Sequence, residues 1–176
     1  MRPLISEDQD QARPEPFENV RVVLETDLGL SIDQIFTEFN PVPIAAASIG
    51  QVHLARLPDG AKVAVKVQYP DIEETVRRDL HTLRRIFHIV EWFIPYQGLD
   101  ELYREIRAIV MEELDYRGEA ENAALIAANF EGRTDVGFPR VVAELSTSRV
   151  LVTHFERGAK ITDKAATKQL GLDRSQ

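Results

Sequence analysis

The sequence predicts an α+β domain with a small antiparallel sheet and with helices inserted between the middle strands and the last two strands. Segments with a two-residue apolar period lie within residues 43–69 and again within 138–155. A long stretch with helical periodicity separates them. Turn signals rather than regular crossovers join the early strands, which favours an antiparallel sheet.

The composition fits one domain with a real core. The chain has 176 residues, of which 44% are hydrophobic, and a net charge of −8. This charge argues against a general nucleic-acid binder, although a single phosphate site needs only a few local donors. The absence of cysteine excludes a disulfide framework and cysteine-based zinc or redox chemistry. No segment offers the roughly 18 uninterrupted apolar residues that span a bilayer, so we expect a soluble or peripheral chain.

Two helices are predicted before the sheet. The first begins at Phe17 and stops at Gly29, with one apolar face: Val20, Val23, Leu24 and Leu28. Ser31 and Gln34 have the spacing of a capping box. The short helix that they start is expected to end near Asn40.

Residues 43–69 are predicted to form a strand, an alanine-rich turn, a second strand, a turn at 58–60 and a third strand. In the third strand Val63, Val65 and Val67 share one face. Lys66 lies on the opposite face, beside the small side chain of Ala64. This placement leaves room for a ligand next to the lysine.

A strongly amphipathic helix is predicted from Ile72 to Pro95, followed by a second helix from about Asp100. We expect a bend at Gly118 and a third helical stretch from there to Phe130. Two further strands are predicted at 138–143 and at 149–155. Trp92 is expected in the core or at an interface, and the scattered His53, His81 and His88 predict no metal site.

Four segments carry a resemblance to a known family: PIAAASIGQVH (43–53), VAVKVQYP (63–70), ELDYRGEAEN (113–122) and VLVTHFERG (150–158). In this order they resemble the UbiB/ADCK family of atypical, protein-kinase-like proteins, which is linked to ubiquinone and isoprenoid-quinone metabolism. The resemblance covers nearly the whole chain. It implies the N-lobe of a protein-kinase-like fold, with ATP or ADP and Mg²⁺ as cofactors of the complete domain.

The resemblance also assigns nucleotide-binding residues. The family replaces the usual glycine-rich phosphate loop by an alanine-rich loop, which matches Ala45, Ala46, Ala47, Ser48 and Ile49. Each alanine adds a methyl group and removes backbone freedom, so the nucleotide would bind in a geometry less suited to protein phosphorylation. The alternative is a small-residue turn needed only for tight packing.

Lys66 is similar to the strand lysine that contacts the α- and β-phosphates of ATP, and Glu119 to the carboxylate that pairs with it. Without the neighbouring motifs, a solvent-facing lysine would be the common case. The resemblance places the adenine-binding hinge at Thr153, His154 and Phe155, where backbone groups would bind the base.

Glu113 and Asp115 match a Glu-x-Asp motif of the family. The resemblance implies that these carboxylates engage a Lys-x-Gly-Gln motif, which does not occur in this chain, or help to position a metal. Helix carboxylates that simply face water are the alternative. The spacing does not separate these roles.

The expected organisation is a flexible lead-in at 1–16, a nucleotide-binding N-lobe at 17–158, and the start of a linker to a C-lobe at 159–176. Nothing in the chain resembles the catalytic His-x-Asp loop or the Asp-Phe-Gly metal site. We therefore expect a chain truncated before the catalytic loop, with no catalytic residue and no kinase activity of its own.

Two classes of function follow from these observations. The first is the ATP-binding lobe of a UbiB-type atypical kinase or ATPase supporting ubiquinone biosynthesis. The second is a non-enzymatic docking module, or one half of a split kinase, that binds a partner through helices within 71–130. Expected partners are a nucleotide, a C-lobe chain or quinone-biosynthesis proteins. We expect a cytoplasmic location, with peripheral contact to the inner membrane as a further option.

Overall fold

The computed structural model describes residues 14–93, 98–133, 135–156 and 158. In chain order the elements are α1 (Phe17–Leu28), α2 (Ile32–Ile35), β1 (Glu38–Phe39), β2 (Ala45–Ala46), β3 (Gly50–Arg56), β4 (Lys62–Gln68), α3 (Ile72–Phe93), α4 (Leu99–Glu113), α5 (Tyr116–Asn129), a 3-10 helix (Ala143–Leu145) and β5 (Val150–His154). Residues 1–13 of the expected lead-in at 1–16, the stop at Pro95 and the linker at 159–176 lie outside the described residues.

The five strands form one antiparallel sheet in the order β1-β3-β4-β5, and β2 pairs with β3 beside β1. Helices α3, α4 and α5 are inserted between β4 and β5. The predicted α+β class with helices after the lysine strand is therefore confirmed.

The core lies between α1 and one face of the sheet. On β4, Val63, Val65 and Val67 are completely buried, as the alternation predicted. They pack with the predicted apolar face of α1, which contributes Val20 and Val23. The opposite face of β4 is thereby left for Ala64 and Lys66, which are only partly buried.

Two polar side chains of β3 are also buried in this core. The Nδ1 atom of His53 lies 2.8 Å from the carbonyl oxygen of Asn40 and must donate to it, so Nε2 accepts from Gln51 at 2.9 Å. The Gln51 side chain in turn accepts from the Glu15 N–H at 2.8 Å. Burial lowers the pKa of His53 below its ordinary value, so the ring is a neutral member of this network.

The capping box is present, because the Ser31 N–H donates to Gln34 Oε1 at 3.1 Å. The predicted length of this helix was wrong, since α2 ends at Ile35 and β1 follows it. The reason is tertiary. The centroid of the Phe39 ring lies 5.5 Å from that of Phe17, and Phe39 pairs with Ala55 of β3. Pairing with β3 requires an extended backbone at Phe39, so the helix ends before it.

The strand predicted at 138–143 was also wrong. Only Val141 forms a bridge, to Thr153, and a 3-10 helix begins at Ala143. Pro139 has no N–H to donate to a ladder. The segment still runs along β5, where the Val142 N–H donates to the Val152 carbonyl oxygen at 2.8 Å.

The helical break was predicted at Gly118 but occurs at Leu114 and Asp115. The Asp115 carboxylate accepts from the Arg117 N–H at 3.0 Å and so caps α5. Gly118 lies inside α5. An N-terminal cap therefore decides the boundary, rather than the flexibility of glycine.

Helices α3 and α4 pack against each other. Trp92, at the end of α3, is 85% exposed, so the prediction of a core position was wrong and the alternative, a position at an interface, stays a prediction. Among the described residues, no helix is long and apolar enough to cross a membrane.

Candidate functional site

The open face of the sheet brings together two residues that are 53 positions apart in the sequence. Lys66 Nζ, on β4, donates to Glu119 Oε2, on α5, at 2.6 Å. The Lys66 side chain is 24% exposed and that of Glu119 is 50% exposed. The predicted pairing is thus present, and the role of both residues in nucleotide binding stays a prediction.

Tyr116 lies beneath this ion pair. Lys66 Nζ is 4.4 Å from the centroid of the Tyr116 ring, within the range of a cation–π contact. The residue is 1% exposed, and burial followed by the charges of Glu119 and Glu113 raises the pKa of its hydroxyl. Tyr116 is therefore neutral and gives the ammonium group an aromatic surface, a role that the sequence did not reveal.

The junction between α4 and α5 is fixed to the sheet by polar contacts. Gln68 Nε2 donates to the Leu114 carbonyl oxygen at 2.7 Å, and the Tyr116 N–H donates to the Ser148 carbonyl oxygen at 2.9 Å. Gln68 is 1% exposed, so these are buried contacts. They set the start of α5, and Glu119 lies one turn further along that helix.

The alanine-rich segment forms the hairpin between β2 and β3. Ala45 and Ala46 are strand residues, and the turn closes where the Ala47 N–H donates to the Gly50 carbonyl oxygen at 2.8 Å. Ala47 and Ser48 are exposed at its tip. The Ile49 carbonyl oxygen accepts from the Tyr69 N–H at 3.0 Å, which holds the hairpin against the end of β4.

A pocket of about 530 Å³ adjoins the ion pair. Its lining includes both predicted carboxylates, Glu113 and Asp115, together with Lys66 and Glu119. Asp115 is already engaged as the cap of α5 and also accepts from Arg117 Nε at 3.1 Å. Among the described residues, no group of three or more His, Asp or Glu is placed to hold a metal ion. The role of Glu113 and Asp115 in positioning a metal stays a prediction.

The predicted hinge lies at the end of β5. Thr153 pairs with Ala64 and so shares the open face with Lys66. The His154 N–H donates to the Arg140 carbonyl oxygen at 2.8 Å, and the Phe155 N–H donates to the Lys62 carbonyl oxygen at 2.9 Å. Both N–H groups are therefore engaged within the chain, and adenine binding at this strand stays a prediction.

The sequence matches the ABC1 atypical kinase-like domain over residues 7–176. It is 36% identical to AarF domain-containing protein kinase 1 of Xenopus laevis, over 93% of this chain and 31% of that protein. It is also 36% identical to the probable protein kinase UbiB of Xylella fastidiosa strain 9a5c, again over 93% of this chain and 31% of the relative. The chain thus spans less than a third of the length of these relatives.

A solved structure has the same fold. It is the complex of Rv3197 with erythromycin from Mycobacterium tuberculosis, with a TM-score of 0.74 and 35% identity. The match covers 89% of this chain and 40% of that one. This likeness supports the N-lobe assignment across the described elements.

Proposed function

The chain belongs to the ABC1 atypical kinase-like family, and from this premise we propose that it is the ATP-binding lobe of a UbiB-type atypical kinase or ATPase. The observation that carries the proposal is the Lys66–Glu119 ion pair on the open face of the sheet. A compact ammonium charge in this position suits the α- and β-phosphates of a nucleotide.

The surrounding contacts support this role. Glu119 and the Tyr116 ring each restrict where the ammonium group of Lys66 can lie. This restriction is useful because phosphoryl-transfer enzymes depend mainly on positioning and charge neutralisation. The exposed tip of the β2–β3 hairpin would cover the phosphates from the other side, with its methyl groups limiting how closely the backbone approaches.

The activity of a complete protein needs more than this lobe. No segment of the chain resembles the catalytic loop or the Asp-Phe-Gly metal site. We therefore propose that phosphoryl transfer and Mg²⁺ binding depend on residues of a second lobe. The relatives named UbiB are the basis on which we propose a role in ubiquinone biosynthesis. The cytoplasmic location, with peripheral contact to the inner membrane, is proposed from the family resemblance alone.

Calorimetric titration with Mg²⁺ and ATP tests the proposal. Lys66→Met should weaken binding by at least about tenfold, because one charge-assisted contact to phosphate contributes about 1.5–3 kcal/mol. Lys62→Met is the matched control, since Lys62 lies on the same strand and is exposed; it should change the affinity less than twofold. Equal weakening by both variants would contradict a specific site.

A second candidate function is that of a docking module or one half of a split kinase. The apolar side chains of Ile109, Leu125 and Ile126 are exposed by 67%, 63% and 45%, and Ile109 and Ile126 line the pocket beside Lys66. A patch of this kind is typical of an interface. One half of a split kinase should gain ATPase activity when it is mixed with the C-lobe of a longer relative. A docking module should still bind its partner when Lys66 is replaced by methionine.

A further inference from the structure

A second pocket, of about 400 Å³, lies in the groove between α3 and α4. It is strongly basic although the chain carries a net charge of −8. The cationic and imidazole side chains that line it are those of Arg77, His81, Arg84, Arg85, His88 and Arg107. Among the described residues, no aspartate or glutamate lines it.

The spacing of the sequence builds this lining. On α3, Arg77, His81, Arg84 and His88 follow one another at intervals of four, three and four residues, so they share one helix face. On α4, Arg107 lies four residues after Tyr103 and faces that row.

The centre of the groove holds arginines that the chain does not neutralise. Arg77 pairs with Glu73 and His88 contacts Glu91, so the ion pairs found among the described residues of the row lie at its two ends. Within the described part of the chain, Arg84, Arg85 and Arg107 form no ion pair.

The floor and one wall of the groove are apolar or aromatic. Leu80, 7% exposed, and Met111 line the floor. The Arg84 guanidinium lies 5.7 Å from the centroid of the Tyr103 ring, across the groove. This contact holds one guanidinium between the helices, where a bound anion would also meet Arg107.

We propose that the α3–α4 groove binds a phosphate-bearing anion, either a free phosphate or diphosphate ester or the headgroup of an anionic phospholipid. Guanidinium groups match phosphate oxygens in pairs, and a bound anion would relieve the repulsion among the neighbouring arginines. The pocket shares no lining residue with the one beside Lys66. The groove is thus a site separate from the proposed nucleotide site.

The first experiment titrates pyrophosphate into the full chain by calorimetry. The double variant Arg84→Gln/Arg107→Gln should lose at least about tenfold in affinity. Arg78→Gln/Arg104→Gln is the matched control, because it removes two exposed arginines of the same two helices that do not line the groove; it should lose less than threefold. Lys66→Met should keep pyrophosphate binding in the groove, which separates this result from the nucleotide site.

The second experiment measures sedimentation with phosphatidylcholine vesicles that contain phosphatidylglycerol, and circular dichroism checks that each variant is folded. Groove-dependent binding of pyrophosphate assigns a soluble phosphate ester. Groove-dependent binding of the anionic vesicles alone assigns a lipid headgroup. Binding of neither probe, or equal loss in both double variants, overturns the proposal.

Discussion

Gly50 lies directly against the hydroxyl group of Tyr116. A methyl group on Gly50 would be 2.8 Å from that oxygen and would also overlap the carbonyl oxygen of Val67. The first residue of β3 therefore has to be glycine for the start of α5 to pack on the sheet. This contact links the alanine-rich hairpin to the helix that carries Glu119.

Gly50→Ala should lower the free energy of unfolding by about 1–3 kcal/mol, because a backbone carbonyl cannot move aside as a flexible side chain can. Urea unfolding measures the change. Gly118→Ala is the control, since a methyl group there meets nothing within 4 Å and alanine favours a helix. It should leave stability unchanged or raise it, and a comparable loss in both variants would contradict the packing described.

Tyr116→Phe should leave the free energy of unfolding unchanged or raise it by up to about 1 kcal/mol. The variant removes a buried hydroxyl group that lost its hydrogen bonds to water on folding and gained no other hydrogen bond. That hydroxyl has no hydrogen-bond partner among the described residues. The ring under Lys66 remains, so the ion pair should survive. Thermal unfolding measures the change in stability. A loss of more than about 1 kcal/mol would indicate that the hydroxyl group does form a hydrogen bond in the folded chain.

Asp27 connects α1 to the start of β5. Its carboxylate accepts from Arg149 Nε at 2.8 Å and from Thr147 Oγ1 at 2.6 Å, and its side chain is 11% exposed. Asp27→Ala should cost about 2–3 kcal/mol, because it leaves Arg149 partly buried without a partner. Glu73→Gln breaks the exposed pair with Arg77 and should cost less than about 1 kcal/mol in the same denaturation series.

His53 should make stability depend on pH. Because burial lowers its pKa below the ordinary 6.5, the unfolded chain binds the proton first as the pH falls. The free energy of unfolding should therefore decrease from about pH 6.5 downward, by at most about 1.4 kcal/mol per pH unit from this group. In His53→Gln this part of the slope should be missing between pH 7.5 and 5. Identical slopes would show that His53 is already protonated or exposed.

The elements with long periodic patterns could be predicted from the sequence. The valines of β4 alternate and the apolar residues of α3 recur every three or four positions, which identifies a strand and a helix. Tertiary packing preserved both elements. The short β1 could not be predicted, because its two residues depend on pairing with β3 and on the contact between Phe39 and Phe17. Asp115 did carry a usable signal, since aspartate is a preferred N-cap.

The candidate site was less accessible to sequence reasoning. Lys66 and Glu119 are distant in the chain, and only the family resemblance paired them. Tyr116 and Gly50 were missed, although a glycine at the start of a strand indicates a close approach of another group. Contacts of this kind depend on how α5 lies against the sheet, which no local pattern encodes.

The most direct test of the central claim is an amide NMR titration of the chain with Mg²⁺ and ADP. If the chain is an ATP-binding lobe, chemical-shift changes are expected at residues 45–49, at Lys66 and Glu119, and at 153–155, and the changes around Lys66 should be lost in Lys66→Met. Changes confined to the α3–α4 groove, or none at millimolar nucleotide, would contradict the assignment of an ATP-binding lobe.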